Sequence, residues 1–146
     1  MKKIVVFLFF AFAMSSTVKA ESTVYFIWDH VMGWDELPFY VNGEYAFSIV
    51  PDLKSSSPIP LYTKAIRKVV FKKTGRYVVS FEREWFQKPY HAETILNLED
   101  GETYFVVMDA KINGLSFGEV SQKQGDKFLK KAGKKYVLND DFFYDK

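Results

Sequence analysis

From Thr23 onward the chain alternates apolar and polar residues in short runs broken by turn residues. Val24, Phe26 and Trp28 fall on one face of an extended chain, and Tyr25 and Ile27 on the other, so residues 23–28 predict a strand. Residues 39–41 and 44–49 flank Asn42-Gly43, the pair that suits both φ > 0 positions of a type I′ hairpin turn. Residues 50–60 hold three prolines and Ser55-Ser56-Ser57 and read as a loop. Residues 61–71 resume as strand, with a break near Thr63-Lys64, and 72–75 turn. Across 76–84, Tyr77, Val79 and Phe81 face inward and Val78, Ser80 and Glu82 outward. Residues 85–91, with Pro89, read as a connection.

The stretch from Leu96 to Val107 predicts a central hairpin. Leu96 and Leu98 precede Glu99-Asp100-Gly101-Glu102, a charged turn with a glycine, and residues 104–108 are apolar on both faces. Such a strand is covered on both sides. Lys111–Gly114 reads as a turn and 115–120 as a short strand. The period then changes. Ser121 and Gln124 fit a capping box opening a helix over 121–132, with Phe128, Leu129 and Ala132 on its apolar face. Lys127, Lys130 and Lys131 favour its C-terminal end, and Gly125 weakens it. Residues 136–138 predict a last strand, and the acidic, aromatic segment 139–146 a flexible tail. The sum is mainly β: one antiparallel β-sandwich of about seven or eight strands over 21–138, with one short C-terminal α-helix.

The first twenty residues stand apart. Met1-Lys2-Lys3 is followed by an unbroken apolar run over 4–14 and a polar stretch ending in small residues, Val18 and Ala20. This predicts a secretory signal peptide cut between Ala20 and Glu21. The run is too short for a membrane span, which needs ~20 residues. Of 20 basic residues the signal holds Lys2, Lys3 and Lys19, which leaves 17 against 18 acidic residues and a mature net charge of −1 rather than +2. The basic isoelectric point therefore argues for neither nucleic acid nor an anionic membrane as partner.

The chain has no cysteine. That excludes disulfides, thiol catalysis, cysteine-based zinc sites, iron–sulfur clusters and a lipidated export signal. The expectation is a soluble exported protein, periplasmic or secreted, with no integral membrane segment after signal removal.

Four motifs carry a resemblance. Tyr40-Val41-Asn42-Gly43 resembles the x-V-x-V-(N/D)-G hairpin of small bacterial sandwich domains of the PEGA type. The run Lys73-Thr74-Gly75-Arg76-Tyr77-Val78-Val79 resembles their P-G-x-(H/Y)-x-(I/V) strand start, with Thr74 where proline is usual. Residues 96–106 are similar to the L-x-L-x-x-G-(E/K)-T-Y-Y-V segment of an exported bacterial family, domain of unknown function 2846, and 120–132 to that family's closing polar helix. The resemblance spans roughly 23–132. It implies a β-sandwich and supplies no catalytic residue. Many members of that family look like lipoproteins; this chain, without cysteine, does not.

Chemistry is sparse. His30 and His91 lie in predicted loops, with no local ligand spacing for a metal, so both read as surface residues. Gly114-Leu115-Ser116-Phe117-Gly118 matches the spacing G-x-S-x-G, but its serine falls within the strand predicted over 115–120 rather than on a strand-to-helix elbow, and there is no phosphate-binding glycine loop. Adjacent carboxylates, Asp35-Glu36 and Asp140-Asp141, would point apart on a strand. No cofactor is implied, and the expectation is a protein that is not an enzyme.

The stronger signal is aromatic: 23 aromatic residues remain after the four signal phenylalanines are removed. Trp28, Trp34, Tyr40, Trp85, Phe86 and Tyr90 lie in or beside loops. They either plug the ends of the sandwich, which is favoured, or form a platform for a glycan or protein. Trp28, His30, Trp34, Trp85 and Tyr90 are the candidate ligand-binding residues. The leading functional expectation is a non-enzymatic binding or adaptor module contacting a protein partner in the cell envelope. The alternative is a carbohydrate-binding module using loop tryptophans, and a small hydrolase ranks last.

Overall fold

The computed structural model describes residues 21–30, 34–56, 60–85, 87–111 and 114–146. The predicted signal peptide and Ala20 lie outside these residues. Among the described residues the chain is mainly β with one helix, as the alternation predicts. A four-stranded sheet is antiparallel, in the order β3 (Glu44–Ile49), β2 (Leu37–Val41), β7 (Gly75–Trp85), β8 (Lys88–Leu98). The larger sheet runs β10 (Gly114–Val120), β9 (Thr103–Lys111), β1 (Ser22–Trp28), β6 (Lys64–Phe71), then β11 (Tyr136–Leu138) and β12 (Phe142–Tyr144) one after the other along β6. In a small ladder β4 (Leu53–Ser55), within the segment read as loop, pairs with β5 (Leu61–Tyr62), at the start of the segment read as strand.

Both large sheets contribute to one core. Phe26 of β1 packs against Phe39 and Phe47 of the other sheet, with ring centroids 5.6 and 4.9 Å apart. Val24, Phe26, Trp28, Tyr77, Val79 and Phe81 are buried in the expected alternation. Ser80, expected outward, is buried as well. The short pieces β4, β5, β11 and β12 raise the strand number to twelve among the described residues, against the seven or eight expected.

The expectation of a wholly antiparallel architecture is corrected. The larger sheet is mixed: β1 runs parallel to β9, and β11 and β12 run parallel to β6. The cause is the turn at 99–102. β8 and β9 are not a hairpin, because they belong to different sheets. At Asn42-Gly43 both residues have positive φ (50° and 84°), the I′ geometry whose twist holds β2 and β3 together. At Asp100-Gly101 only Gly101 does, at 76°. That turn does not match hairpin twist, and it bonds elsewhere. The Ser22 hydroxyl donates to the Glu99 carbonyl (2.7 Å), the Gly101 N–H to the Glu21 carbonyl (2.8 Å) and the Thr23 N–H to the Glu102 carbonyl (3.0 Å). The start of β1 thus captures the turn and draws β9 alongside itself.

Two further expectations change. Trp85 and residues 88–91, read as part of a connection, belong to a long β7–β8 hairpin, with Glu84 paired to Pro89 and Trp85 to Lys88. Proline is tolerated there because β8 is an edge strand. The tail 139–146, expected to be flexible, carries β12, which buries Tyr144 against Phe71 (5.2 Å). An aromatic side chain with an apolar slot to fill outweighs the acidic character around it.

The helix forms where the capping box predicts. α1 (Gln122–Lys130) starts at Ser121, whose hydroxyl accepts from the Gln124 N–H while the Gln124 side chain accepts from the Ser121 N–H. Phe128, Leu129 and Ala132 pack over Ile27, Ile66, Phe105 and Tyr136 on the outer face of the larger sheet. This roof explains why β9 is apolar on both faces.

Candidate functional site

Two of the three tryptophans are core residues. Trp28 and Trp34 are both 0% exposed and stack on each other, 5.6 Å between centroids at 27°. Trp34 also meets Phe81 (5.4 Å) and the edge of Tyr90 (5.5 Å), under the Arg83 guanidinium at 5.9 Å. Neither indole can offer a face to a sugar, so their assignment as ligand-binding residues is corrected. The reason is energetic: an aromatic side chain buries ~150–250 Å², which at ~25 cal/mol per Å² stabilises the fold by ~4–6 kcal/mol. Trp34 is therefore turned into the core. Tyr90 is half-buried with the Lys88 ammonium 5.5 Å from its ring. Trp85 closes β7, but its side chain, like Phe86, lies outside the described residues.

The histidines do not meet. His91 is exposed on β8, with Nδ1 3.1 Å from Glu82 and Nε2 3.8 Å from Glu93. His30 follows β1 in the other sheet, and its Nδ1 lies 3.2 Å from Asp109 Oδ1. Asp35 and Glu36 diverge as expected, Asp35 to Arg83 (3.0 Å) and Glu36 to the Ser48 hydroxyl (2.7 Å). Among the described residues, no group of three His, Asp or Glu side chains is placed to hold a metal ion.

What converges is a set that local spacing does not reveal. β1 and β9 are parallel neighbours with Trp28 opposite Met108, so Asp29 and Asp109 follow side by side at their carboxyl ends. The Asp29 N–H donates to the Met108 carbonyl at 2.9 Å. The Asp29 carboxylate accepts from the Tyr136 hydroxyl and pairs with Lys64 at 3.1 Å. Burial pushes the Tyr136 phenol well above its ordinary pKa; its hydrogen bond to Asp29 and the charges of Asp29 and Asp109 push the same way. Tyr136 thus stays a neutral donor.

Beside this cluster the outer face of the larger sheet is open beyond α1. A groove of about 330 Å³ is floored by Val107, Gly118 and Val120 and edged by Asp29 and Asp109. Ser116, opposite Asp109 in the β9–β10 ladder, also lines it. The groove pairs an apolar floor with a carboxylate rim, which suits the aliphatic stem and charged head of a basic side chain. Sequence reading missed it because Asp29 follows β1, Asp109 lies on β9 and part of the floor comes from β10. The one local hint was Asp109, a carboxylate closing an otherwise apolar run.

No protein-family model matches the chain, and a search of curated proteins finds no significant match. Among the described residues no helix is long and apolar enough to cross a membrane.

Proposed function

We propose that the protein is an exported, two-sheet sandwich domain that acts as a non-enzymatic binding or adaptor module of the cell envelope. In this reading it seats a basic side chain of a protein partner in the groove of Asp29 and Asp109. The observation that carries it is the pairing of an apolar floor with two carboxylates, Asp29 and Asp109, on an otherwise roofed sheet face. Burial of Trp28 and Trp34 favours this over a glycan platform, which would be left with Trp85 and Tyr90. The resemblance over 23–132 to the exported family is part of the same proposal.

The test is in-cell cross-linking of the tagged protein, with mass spectrometry of what co-purifies, in wild type and Gly118→Trp. A side chain added at Gly118 meets nothing within 4 Å of its Cβ, so the indole fills the groove without disturbing the core. A dominant partner that disappears in Gly118→Trp supports the proposal. An undiminished partner refutes it.

A second reading, a small hydrolase, draws on one observation: the His30–Asp109 pair borders the groove opposite Ser116. Turnover of a general ester substrate that is lost in both His30→Ala and Ser116→Ala would install it in place of the first.

A further inference from the structure

The mature charge is nearly balanced but unevenly placed. Residues 121–138 hold six lysines and one carboxylate, Asp126. Part of that excess is focused. A cleft of about 400 Å³ opens where three segments meet: β4 brings Lys54, the β5–β6 junction brings Thr63 and Lys64, and the turn after α1 brings Lys134 and Lys135. None of these lining residues is acidic. Lys64 is paired with Asp29. Lys54, Lys134 and Lys135 have no ion-pair partner among the described residues, and no residue outside that set is an Asp or Glu that could supply one.

The local structure holds this arrangement in place. The Thr63 N–H donates to the Asp52 carbonyl (2.8 Å) and the Thr63 hydroxyl accepts from the Asp52 N–H (3.0 Å), which fastens the β4–β5 flap. The hydroxyl keeps its own proton for an acceptor in the cleft. The N–H groups of Lys134 and Lys135 both reach the Lys131 carbonyl, at 3.1 and 2.9 Å. That tight turn brings two consecutive lysines to one cleft. Like charges gathered in a concavity repel, and a bound anion removes the repulsion.

We infer that this cleft binds a ligand through phosphate groups. Three uncommitted ammonium groups exceed what a single carboxylate balances, whereas a phosphate ester carries about −1.5 to −2 and a diphosphate more. The charged donors are all lysines, point charges suited to phosphate, with no guanidinium fork for planar carboxylate recognition. The volume suits two phosphate groups or a phosphorylated headgroup. Leu53, 57% exposed beside Lys54, and Leu61, 39% exposed on the paired strand, add aliphatic surface of the kind that enters a bilayer interface. Phosphate is therefore the shared chemistry of a soluble and a lipid source.

The experiment uses the mature protein and two probes: inorganic pyrophosphate by calorimetry, and flotation with phosphatidylcholine vesicles with and without phosphatidylglycerol. Lys134→Glu/Lys135→Glu alters the cleft. Lys127→Glu/Lys130→Glu makes the same charge change on exposed positions of α1 outside it. The cleft variant is expected to bind at least about tenfold more weakly, the α1 variant within about twofold of wild type, and Gly118→Trp normally. Pyrophosphate binding identifies a soluble source. Binding only to anionic vesicles, lost in Leu53→Ser/Leu61→Ser, identifies a lipid headgroup. Either supports the site. Equal weakening in both lysine variants, or no binding to either probe, overturns it. Because Gly118→Trp leaves this cleft intact, its outcome is separable from that of the groove.

Discussion

Gly125→Ala sets two well-measured effects against each other. In an exposed helix interior, alanine is favoured over glycine by ~1 kcal/mol. Gly125, however, is the buried residue of α1 and lies on Phe105 of β9. A Cβ there would stand 2.1, 2.2 and 2.4 Å from three ring carbons of Phe105. Carbon contacts settle at ~3.5–4.0 Å, so ring or helix must move by well over an ångström. The ring has little room, being 1% exposed and stacked on Tyr25 at 5.3 Å and 12°. Overpacking of this kind costs ~1–3 kcal/mol and occasionally more, and lifting the helix also loses contacts of Phe128 and Leu129. We expect a net destabilisation of about 2 kcal/mol, a fall in Tm of roughly 6–10 °C for a domain this size. Urea unfolding followed by circular dichroism measures it. Phe105→Leu should relieve the clash, so the double variant should be more stable than the sum of the single changes by about 1 kcal/mol. A Gly125→Ala protein more stable than wild type would refute the reasoning, since only the propensity term would then be acting.

Other predictions follow from burial and titration. Tyr136, Tyr77 and Tyr144 all have raised pKa values, chiefly through burial. Their unfolded forms ionise near pH 10 while the folded forms hold the proton, so stability from these groups is complete below pH 10 and lost as pH rises beyond it. Tm should be level from pH 8 to about 9.5 and fall above that. Tyr136→Phe should flatten the fall while lowering Tm at pH 8, because Asp29 loses its phenol donor; an unchanged alkaline slope would contradict the assignment. Trp34→Ala should cost ~3–5 kcal/mol as a core deletion. If it unfolded no more readily than wild type in urea, Trp34 would not be the packed residue described here.

Much of the local structure was legible because its causes are local. The Asn42-Gly43 hairpin needs two residues that tolerate positive φ, and the Ser121–Gln124 capping box needs two side chains three apart, so each can be read within a few residues. The alternation of Tyr77, Val79 and Phe81 likewise names its own inward face. Asp100-Gly101 looked equivalent to Asn42-Gly43, yet its strands part into two sheets. The difference lies in the φ of one residue and in bonds to Glu21, Ser22 and Thr23, some eighty positions earlier. Gly125 shows the same limit. It read as a weakness of the helix, whereas its missing side chain is what lets the helix lie on Phe105.

The sequence by itself determined a mainly β chain, its helix, most of its turns and the absence of cysteine chemistry, because periodicity, turn geometry and composition act over a few residues. Only the tertiary structure decided which strands are neighbours. It decided that Trp28 and Trp34 are core, that Asp29 lies beside Asp109 and Tyr136, and that lysines from three segments share one cleft. Those facts depend on how the two sheets close over a common core, a contest among long-range contacts that no local pattern encodes.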